Sequence, residues 1–119
     1  MQFILVIHHG SYPLPGSESA ATLSADEKKA AYADWAIVSA MENVAGGPPL
    51  GLPEDATTVR VENGSTVRTP GPFLDGASAV GGFLTVDAED LDAAVEVAAR
   101  IPQARLGGAV EVRQVAKYW

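Results

Sequence analysis

The chain has 119 residues, nearly half of them hydrophobic, and therefore suits one folded domain with a modest core rather than a disordered chain. Its formal net charge is −7, from 15 acidic and 8 basic residues, and such a negative field argues against nucleic acids and membrane surfaces as partners. It contains no cysteine, which excludes disulfides, thiolate nucleophiles and zinc–thiolate sites.

Residues 2–9 are predicted to form the first strand, because this short segment is rich in Ile, Val and Phe, as in a central strand buried on both faces. The apolar run at residues 3–7 has no basic segment before it and is too short for a secretion signal or a membrane span, so we expect a cytoplasmic protein. Residues 10–22 follow as a loop rich in Pro, Gly and Ser. A loop of that length in so small a domain is often functional.

The first helix is predicted to begin after Ser24, which forms a capping-box pattern with Glu27. Gly46 and Gly47 would end the helix, and the two prolines that follow forbid its continuation. Trp35 lies off the apolar stripe of this helix and is expected to cover a helix flank or a dimer edge. The stripe consists of Ala30, Ala33, Ile37, Met41 and Val44.

The middle of the chain predicts a β-hairpin. Residues 57–61 alternate as a strand does, Asn63-Gly64 is a strong hairpin-turn signal, and residues 66–69 form the return strand. Pro70-Gly71-Pro72 then begins an irregular segment that extends to residue 79.

The last third of the chain predicts strand, helix and strand. Residues 81–86 form the first of these strands, and Asp87 caps a helix whose first turn is acidic. Pro102 and the following glycine pair end that helix, and residues 109–115 form the last strand. The buried stripe of the helix is expected at Leu91, Ala94, Val95, Ala98 and Ile101.

This order of elements predicts an α+β fold of the ferredoxin-like βαββαβ plan with a hairpin inserted, in which two helices cover one face of an antiparallel sheet. The other face of the sheet still needs cover. A second copy of the chain supplies that cover most economically, which predicts a homodimer.

Six fragments follow one another along the chain in a distinctive order: residues 56–60, 71–73, 80–83, 90–94, 98–102 and 108–113. Together they resemble the YCII-related family in its DGPF branch, and the resemblance covers essentially the whole chain as one domain, 1–119. It implies a dimeric α+β barrel, in which two ferredoxin-like sheets face each other and leave a cavity in each subunit. It implies no single activity, because similar proteins include lyase-type dehydrochlorinases with a His–Asp pair as well as proteins encoded beside sigma factors.

The chain departs from the family pattern in one loop. The sequence Asp-Gly-Pro-Phe of the family is Pro70-Gly71-Pro72-Phe73 here, and Ala77 and Ser78 stand where the family pattern has a charged pair. Asp75 keeps one acidic position of that loop. The loop therefore carries fewer ionisable groups than the resemblance implies.

His8 and His9 are the only histidines, and histidine is the side chain best suited to proton transfer near neutral pH. Adjacent residues of a strand point to opposite faces, so the pair cannot chelate one metal ion. Phe3, Leu5 and Ile7 share their face with His9 and suit packing against the helices. His8 is therefore the candidate for the cavity between two sheets, and the alternative is a histidine that only hydrogen-bonds a loop.

Three other side chains are candidates for a site around His8. Asp75 would orient His8 or act as a base itself, and the alternative is a solvated turn residue. Tyr12 would donate a hydrogen bond to a ligand, or else only pack the first loop. Arg113 would anchor a carboxylate, or else pair with Glu111.

Two functions are compatible with these residues. The first is a cofactor-independent lyase or isomerase that acts on a small organic metabolite, with His8 as the general base. The second is a non-catalytic module that binds a small molecule or a regulatory protein such as a sigma factor, and the missing charges of the family loop favour it. Neither function requires a cofactor or a metal ion.

Overall fold

The computed structural model describes residues 1–14, 18–46 and 50–118. Short 3-10 turns lie at Pro53–Asp55 and Gly76–Ser78. The helices and strands, in chain order, are β1 (Gln2–His8), α1 (Glu18–Thr22), α2 (Ala25–Ser39), β2 (Val44–Gly46), β3 (Thr57–Glu62), β4 (Ser65–Pro70), β5 (Val80–Asp87), α3 (Leu91–Ala99), α4 (Pro102–Arg105) and β6 (Ala109–Gln114).

The main sheet is antiparallel and has the strand order β2-β5-β1-β6. With α2 and α3 in the two crossover connections and packed on one face, this is the predicted ferredoxin-like α+β fold. The hairpin β3–β4 forms a separate two-stranded sheet. Its turn is the predicted Asn63-Gly64 pair, in which both residues have positive φ (50° and 79°), as a tight hairpin turn requires.

The core lies between the sheet and the helices. Phe3, Leu5 and Ile7 alternate along β1 and are almost fully buried, because the period-two alternation of a strand places them on one face. They pack with Val38 of α2 and with Ile101, which lies between α3 and α4. This face of β1 agrees with the sequence prediction.

The other face of β1 is open. Ile4, Val6 and His8 are only half-buried there, so the prediction of a strand buried on both faces is wrong for the single chain. Phe83, which lies opposite Val6 on β5, is 51% exposed on the same open face.

The first helix begins as predicted but ends earlier. The Ser24 hydroxyl accepts a hydrogen bond from the Glu27 N–H (3.0 Å), and the Glu27 carboxylate accepts one from the Ser24 N–H (3.4 Å). However, α2 stops at Ser39, and the predicted continuation through Val44 is wrong because residues 44–46 pair with β5 as the edge strand of the sheet. The predicted stop at Gly47 and the prolines after it lies outside the described residues.

The buried face of α2 also differs from the predicted one. Ala31 and Val38 are buried and Trp35 packs against the core, whereas Ile37 is 49% exposed and Ala30 and Ala33 are exposed. The expectation that Trp35 lies away from the core is therefore wrong. The large side chains on the buried side of α2 are Trp35 and Val38.

The remaining differences are local. The predicted first loop contains the short helix α1, and its residues 15–17 lie outside the described part of the chain. The cap of α3 is Asp90, whose carboxylate accepts from the Ala93 N–H (2.9 Å), and not Asp87. Leu91 and Val95 were expected in the buried stripe of α3 but are exposed.

The second predicted helix, α3, ends at Ala99, before Pro102, but Pro102 does not begin a loop. It begins the short helix α4 instead, because proline at a first helical position lacks only an N–H that would be unpaired in any case. Within the described ranges, none of the helices combines the length and the apolar composition that a membrane crossing requires.

Candidate functional site

A cavity of about 1320 Å³ lies between α2 and the edge of the sheet where β1 ends and β5 begins. Residues 50–52 border it, and the Leu50 N–H donates to the Gly81 carbonyl oxygen (3.4 Å). One face of α2 forms its longest wall, since the lining residues recur every three or four positions. These residues are Lys28, Ala31, Tyr32, Trp35, Val38 and Ser39.

The floor of the cavity is the backbone of β5 at Gly82. Gly82 lies opposite the buried Ile7, so its missing side chain would point to the helix side of the sheet. A Cβ built on Gly82 would meet a single heavy atom within 4 Å, the Ile7 Cδ1 at 4.0 Å. A buried position with that much free space is uncommon in a close-packed interior, and the cavity accounts for it.

His9 lies at the inner end of the cavity and is only 7% exposed. The register between β1 and β5 shifts at this point, so that Gly81 has no partner in the ladder, and the imidazole packs directly on its backbone. A Cβ on Gly81 would lie 2.6 Å from His9 Nε2 and 2.7 Å from His9 Nδ1. Glycine is therefore the residue that leaves room for the ring.

The polar atoms of His9 are incompletely satisfied. Its Nδ1 is buried and has no hydrogen-bond partner, and the same holds for Oε1 of Gln103, another lining residue. Burial lowers the pKa of His9, because removal of water disfavours the charged imidazolium. The ring is therefore neutral at pH 7, and Nε2 is the nitrogen left to meet a molecule in the cavity.

Tyr12 contributes a second polar group to the lining. Its pKa is raised, first by burial and next by the neighbouring Tyr32 phenol, while a hydrogen bond from Trp35 and the charge of Arg105 act in the opposite direction. The Trp35 indole can only donate, so the Tyr12 oxygen accepts in that bond. The phenol proton stays on Tyr12 and is not used in the bond to Trp35.

A second cluster lies on the open face of the sheet. His8 Nδ1 is 3.1 Å from the Ser78 carbonyl oxygen, which can only accept, so this contact requires the proton on Nδ1. His8 Nε2 is 3.7 Å from a Glu111 carboxylate oxygen, and the other oxygen of Glu111 is 3.3 Å from Arg113 Nε. His8, Glu111 and Arg113 thus form a row across β1 and β6.

The structure divides the four residues that the sequence singled out. His8 and Arg113 lie together on the open face, joined by Glu111. Tyr12 lines the cavity on the other side of the sheet. Asp75 is exposed and precedes the turn that brings Ser78 to His8, and its side chain makes no capping hydrogen bond. The carboxylate beside His8 is therefore that of Glu111.

Sequence reasoning assigned no functional role to His9. It placed His9 on the helix-facing side, which is correct, but treated that side as uniformly packed. The signal that could have indicated free space is Gly82, because a glycine within a strand leaves a gap where a neighbouring side chain would otherwise pack. Within the described ranges, no cluster of three or more histidine or acidic side chains is placed to hold a metal ion.

The comparison with protein-family models gives a match to the YCII-related domain over residues 1–118. A search of the curated proteins finds no match. The family match spans nearly the full chain and agrees with the resemblance carried by the ordered fragments of its sequence. The chain belongs to the YCII-related domain family.

Proposed function

We propose that residues 1–119 form a single ligand-binding domain whose cavity beside α2 takes one small, largely apolar organic molecule. The observation that carries this proposal is the free space above Gly82, where a buried strand position has no packing neighbour closer than 4.0 Å. An apolar cavity with a few converging polar groups is the usual form of a small-molecule site. His9 and Tyr12 supply such groups here.

The volume of the cavity supports this proposal. At about 1320 Å³, it exceeds the range of roughly 300–1,000 Å³ that is typical of drug-sized ligands. The side chains that line this space have no protein partner on the side that faces it. Occupation by a ligand would supply such a partner and raise the melting temperature.

The test fills the cavity from its floor. In Gly82→Val, the new side chain points into the free space and suits a β-strand. Ala45→Val is the matched control, because Ala45 pairs with Thr85 on the open face, away from the cavity. Small organic acids, phenols and lactones are screened by thermal shift and by NMR of the wild-type protein. We expect compounds that bind Gly82→Val more weakly than they bind the wild type and Ala45→Val, because the new side chain covers the floor of the cavity. Equal binding to Gly82→Val and Ala45→Val would contradict the proposal.

A second candidate function is cofactor-independent proton transfer on the open face, as in a lyase or an isomerase. It is favoured by the contact of His8 Nδ1 with the Ser78 carbonyl, which leaves the Nε2 lone pair as the basic site. Glu111, rather than Asp75, is the carboxylate beside the imidazole, and it would accept a hydrogen bond from Nε2 once Nε2 has taken a proton from the substrate. Arg113 would bind an anionic group of the substrate. A second copy of the chain would have to cover this face to exclude water from the site.

The two functions predict different sensitivities. If His8 is the general base, His8→Ala removes turnover of a screened substrate, and Glu111→Gln lowers kcat more than it raises KM. Gly82→Val would leave that activity unchanged, because it lies on the other side of the sheet. Turnover that persists in His8→Ala would eliminate the open-face reaction.

A further inference from the structure

The charge of the cavity differs from that of the chain around it. The protein has 15 acidic residues, yet none occurs among the described residues that line the cavity. Among the described lining residues, the formal charge at neutral pH is carried by Lys28, whose exposed side chain lies on the first turn of α2. A cationic ligand would therefore find no counter-charge inside.

The inner end of the cavity is polar but uncharged. Burial keeps His9 neutral and Tyr12 protonated, and the remaining polar group of the lining at this end is the Gln103 amide. A carboxylate placed here would lose its water and gain little in return, because the Lys28 side chain is exposed and Arg105 is already paired with Asp34. A neutral hydroxyl or N–H group can donate to His9 instead, because a neutral imidazole whose proton is on the buried Nδ1 has its lone pair on Nε2.

The walls of the cavity favour a flat ring. Trp35 packs partly against the core, and Tyr12 lines the cavity with it. The Tyr12 backbone is itself held by the bond from its N–H to the His9 carbonyl (2.8 Å). Two aromatic side chains held in this way offer faces and edges to a ring at little entropic cost.

We propose that the ligand of this cavity is an uncharged, ring-containing molecule that donates a hydrogen bond from a hydroxyl or N–H group to His9 at the inner end. This assignment rests on the proposed function, since it names the class of molecule that the same cavity takes. His9 Nε2 is the acceptor, and the aromatic side chains hold the ring.

Four matched probes test the class: 4-methylphenol, 4-methylanisole, 4-methylbenzoate and 4-methylbenzylammonium. The first two share a ring and differ in one donated hydrogen bond, and the last two add a negative or a positive charge. Binding is followed through the indole N–H signal of Trp35 in the NMR spectrum. The protein has two tryptophans, so Trp119→Phe identifies which signal belongs to Trp35.

We expect 4-methylphenol to bind roughly 3- to 10-fold more tightly than 4-methylanisole, as one net hydrogen bond predicts, and more than about 10-fold more tightly than either ion. In His9→Leu, which removes the acceptor at similar volume, the preference for the phenol over the anisole should fall to about 2-fold or less. His9→Gln keeps an acceptor and should retain part of the preference. It also serves as the second variant if His9→Leu does not fold.

The outcomes separate the two levels of the proposal. If 4-methylbenzoate binds best and Gly82→Val abolishes its binding, the cavity is a ligand site but the neutral class is wrong. If the phenol preference is the same in His9→Leu and His9→Gln as in the wild type, the assignment of His9 as acceptor is wrong. If no probe binds, or if binding is indifferent to Gly82→Val, both the ligand class and the proposed function are overturned.

Discussion

Two adjacent glycines of β5 should respond oppositely to the same substitution. A methyl group added in Gly81→Ala would lie 2.6 Å from His9 Nε2 and 2.7 Å from His9 Nδ1, closer than carbon and nitrogen atoms approach without displacement. The methyl group added in Gly82→Ala would meet one atom, the Ile7 Cδ1, at 4.0 Å. The first position is filled by the imidazole, and the second borders the cavity.

The size of the stability loss in Gly81→Ala follows from the burial of His9. With the ring 7% exposed and packed on the strand, it cannot move aside without displacing other buried groups, so Gly81→Ala should cost about 1–3 kcal/mol, as overpacking does. For a domain of this size that corresponds to a fall in Tm of roughly 4 °C for each kcal/mol. Gly82→Ala should instead be neutral or stabilise by up to about 1 kcal/mol, because it restricts the unfolded chain and fills empty space.

The interaction energy between positions 81 and 9 is measured by urea denaturation of four proteins: the wild type, Gly81→Ala, His9→Ala and the double variant. If the clash with the imidazole is the cause, Gly81→Ala in the His9→Ala background should cost less than about 0.5 kcal/mol, so that the coupling energy between the two positions is at least about 0.5 kcal/mol. Equal costs in the two backgrounds would refute the contact. An equal loss of stability in Gly82→Ala would refute the free space above that residue.

Three further predictions concern acid stability, the open face and the cap of α2. Burial lowers the pKa of His9 below its ordinary value of 6.5. At a pH below 6.5 the unfolded chain therefore binds more protons at this residue than the folded chain does. The free energy of unfolding should decline as the pH falls below 6.5, by at most about 2 kcal/mol at pH 5. His9→Leu should flatten this part of a urea-midpoint profile measured from pH 7.5 to pH 5. If the open face pairs with a second copy, light scattering should give a dimer for the wild type and a monomer for Phe83→Asp, and a wild-type monomer at micromolar concentration would refute the pairing. Ser24→Ala should lower the free energy of unfolding by about 1 kcal/mol, since it leaves the Glu27 N–H without its acceptor, and an unchanged urea midpoint would contradict this role of the cap.

Three features that depend on neighbouring residues in the sequence were predicted correctly, whereas the cap of α3 was placed three residues too early. The capping box of Ser24 and Glu27, the Asn63-Gly64 turn and the alternation of β1 each involve residues within a few positions of one another. Local backbone chemistry determines such features almost regardless of the rest of the fold. The order of strands and helices then left few topologies for the sheet, and the ferredoxin-like plan was the correct one.

Features that depend on contacts between distant residues were predicted less well. The strand Val44–Gly46 has three residues, too few for a periodic pattern, and it exists because β5 offers a free edge. Its first residue continued the apolar spacing of α2, so the sequence pattern extended the helix over it. The buried face of α2 was likewise decided by the packing of Trp35 and Val38 against a sheet whose shape the sequence did not reveal.

The candidate sites differ in the same way. The orientations of His8 and His9 were predictable, because the irregularity near the end of β1 falls on its partner strand: Gly81 of β5 is the extra residue, and the alternation of β1 itself is unbroken. The partners of each histidine were not predictable. Glu111 reaches His8 from β6, and the cavity beside His9 depends on two glycines more than 70 positions away along the chain.

The bulge at Gly81 links the two sides of the sheet. It lies between the residues opposite Ile7 and His8, so it makes room for the buried imidazole of His9 on the helix side while the turn before β5 places the Ser78 carbonyl beside His8 on the open side. Two adjacent histidines thereby acquire different environments: one is neutral and buried among apolar groups, and the other is half-exposed beside a carboxylate. A substitution at Gly81 should therefore disturb both sites, whereas substitutions at Gly82 and Glu111 should each disturb only one. For that reason the separate variants, and not Gly81→Ala, are the ones that can assign a function to either face.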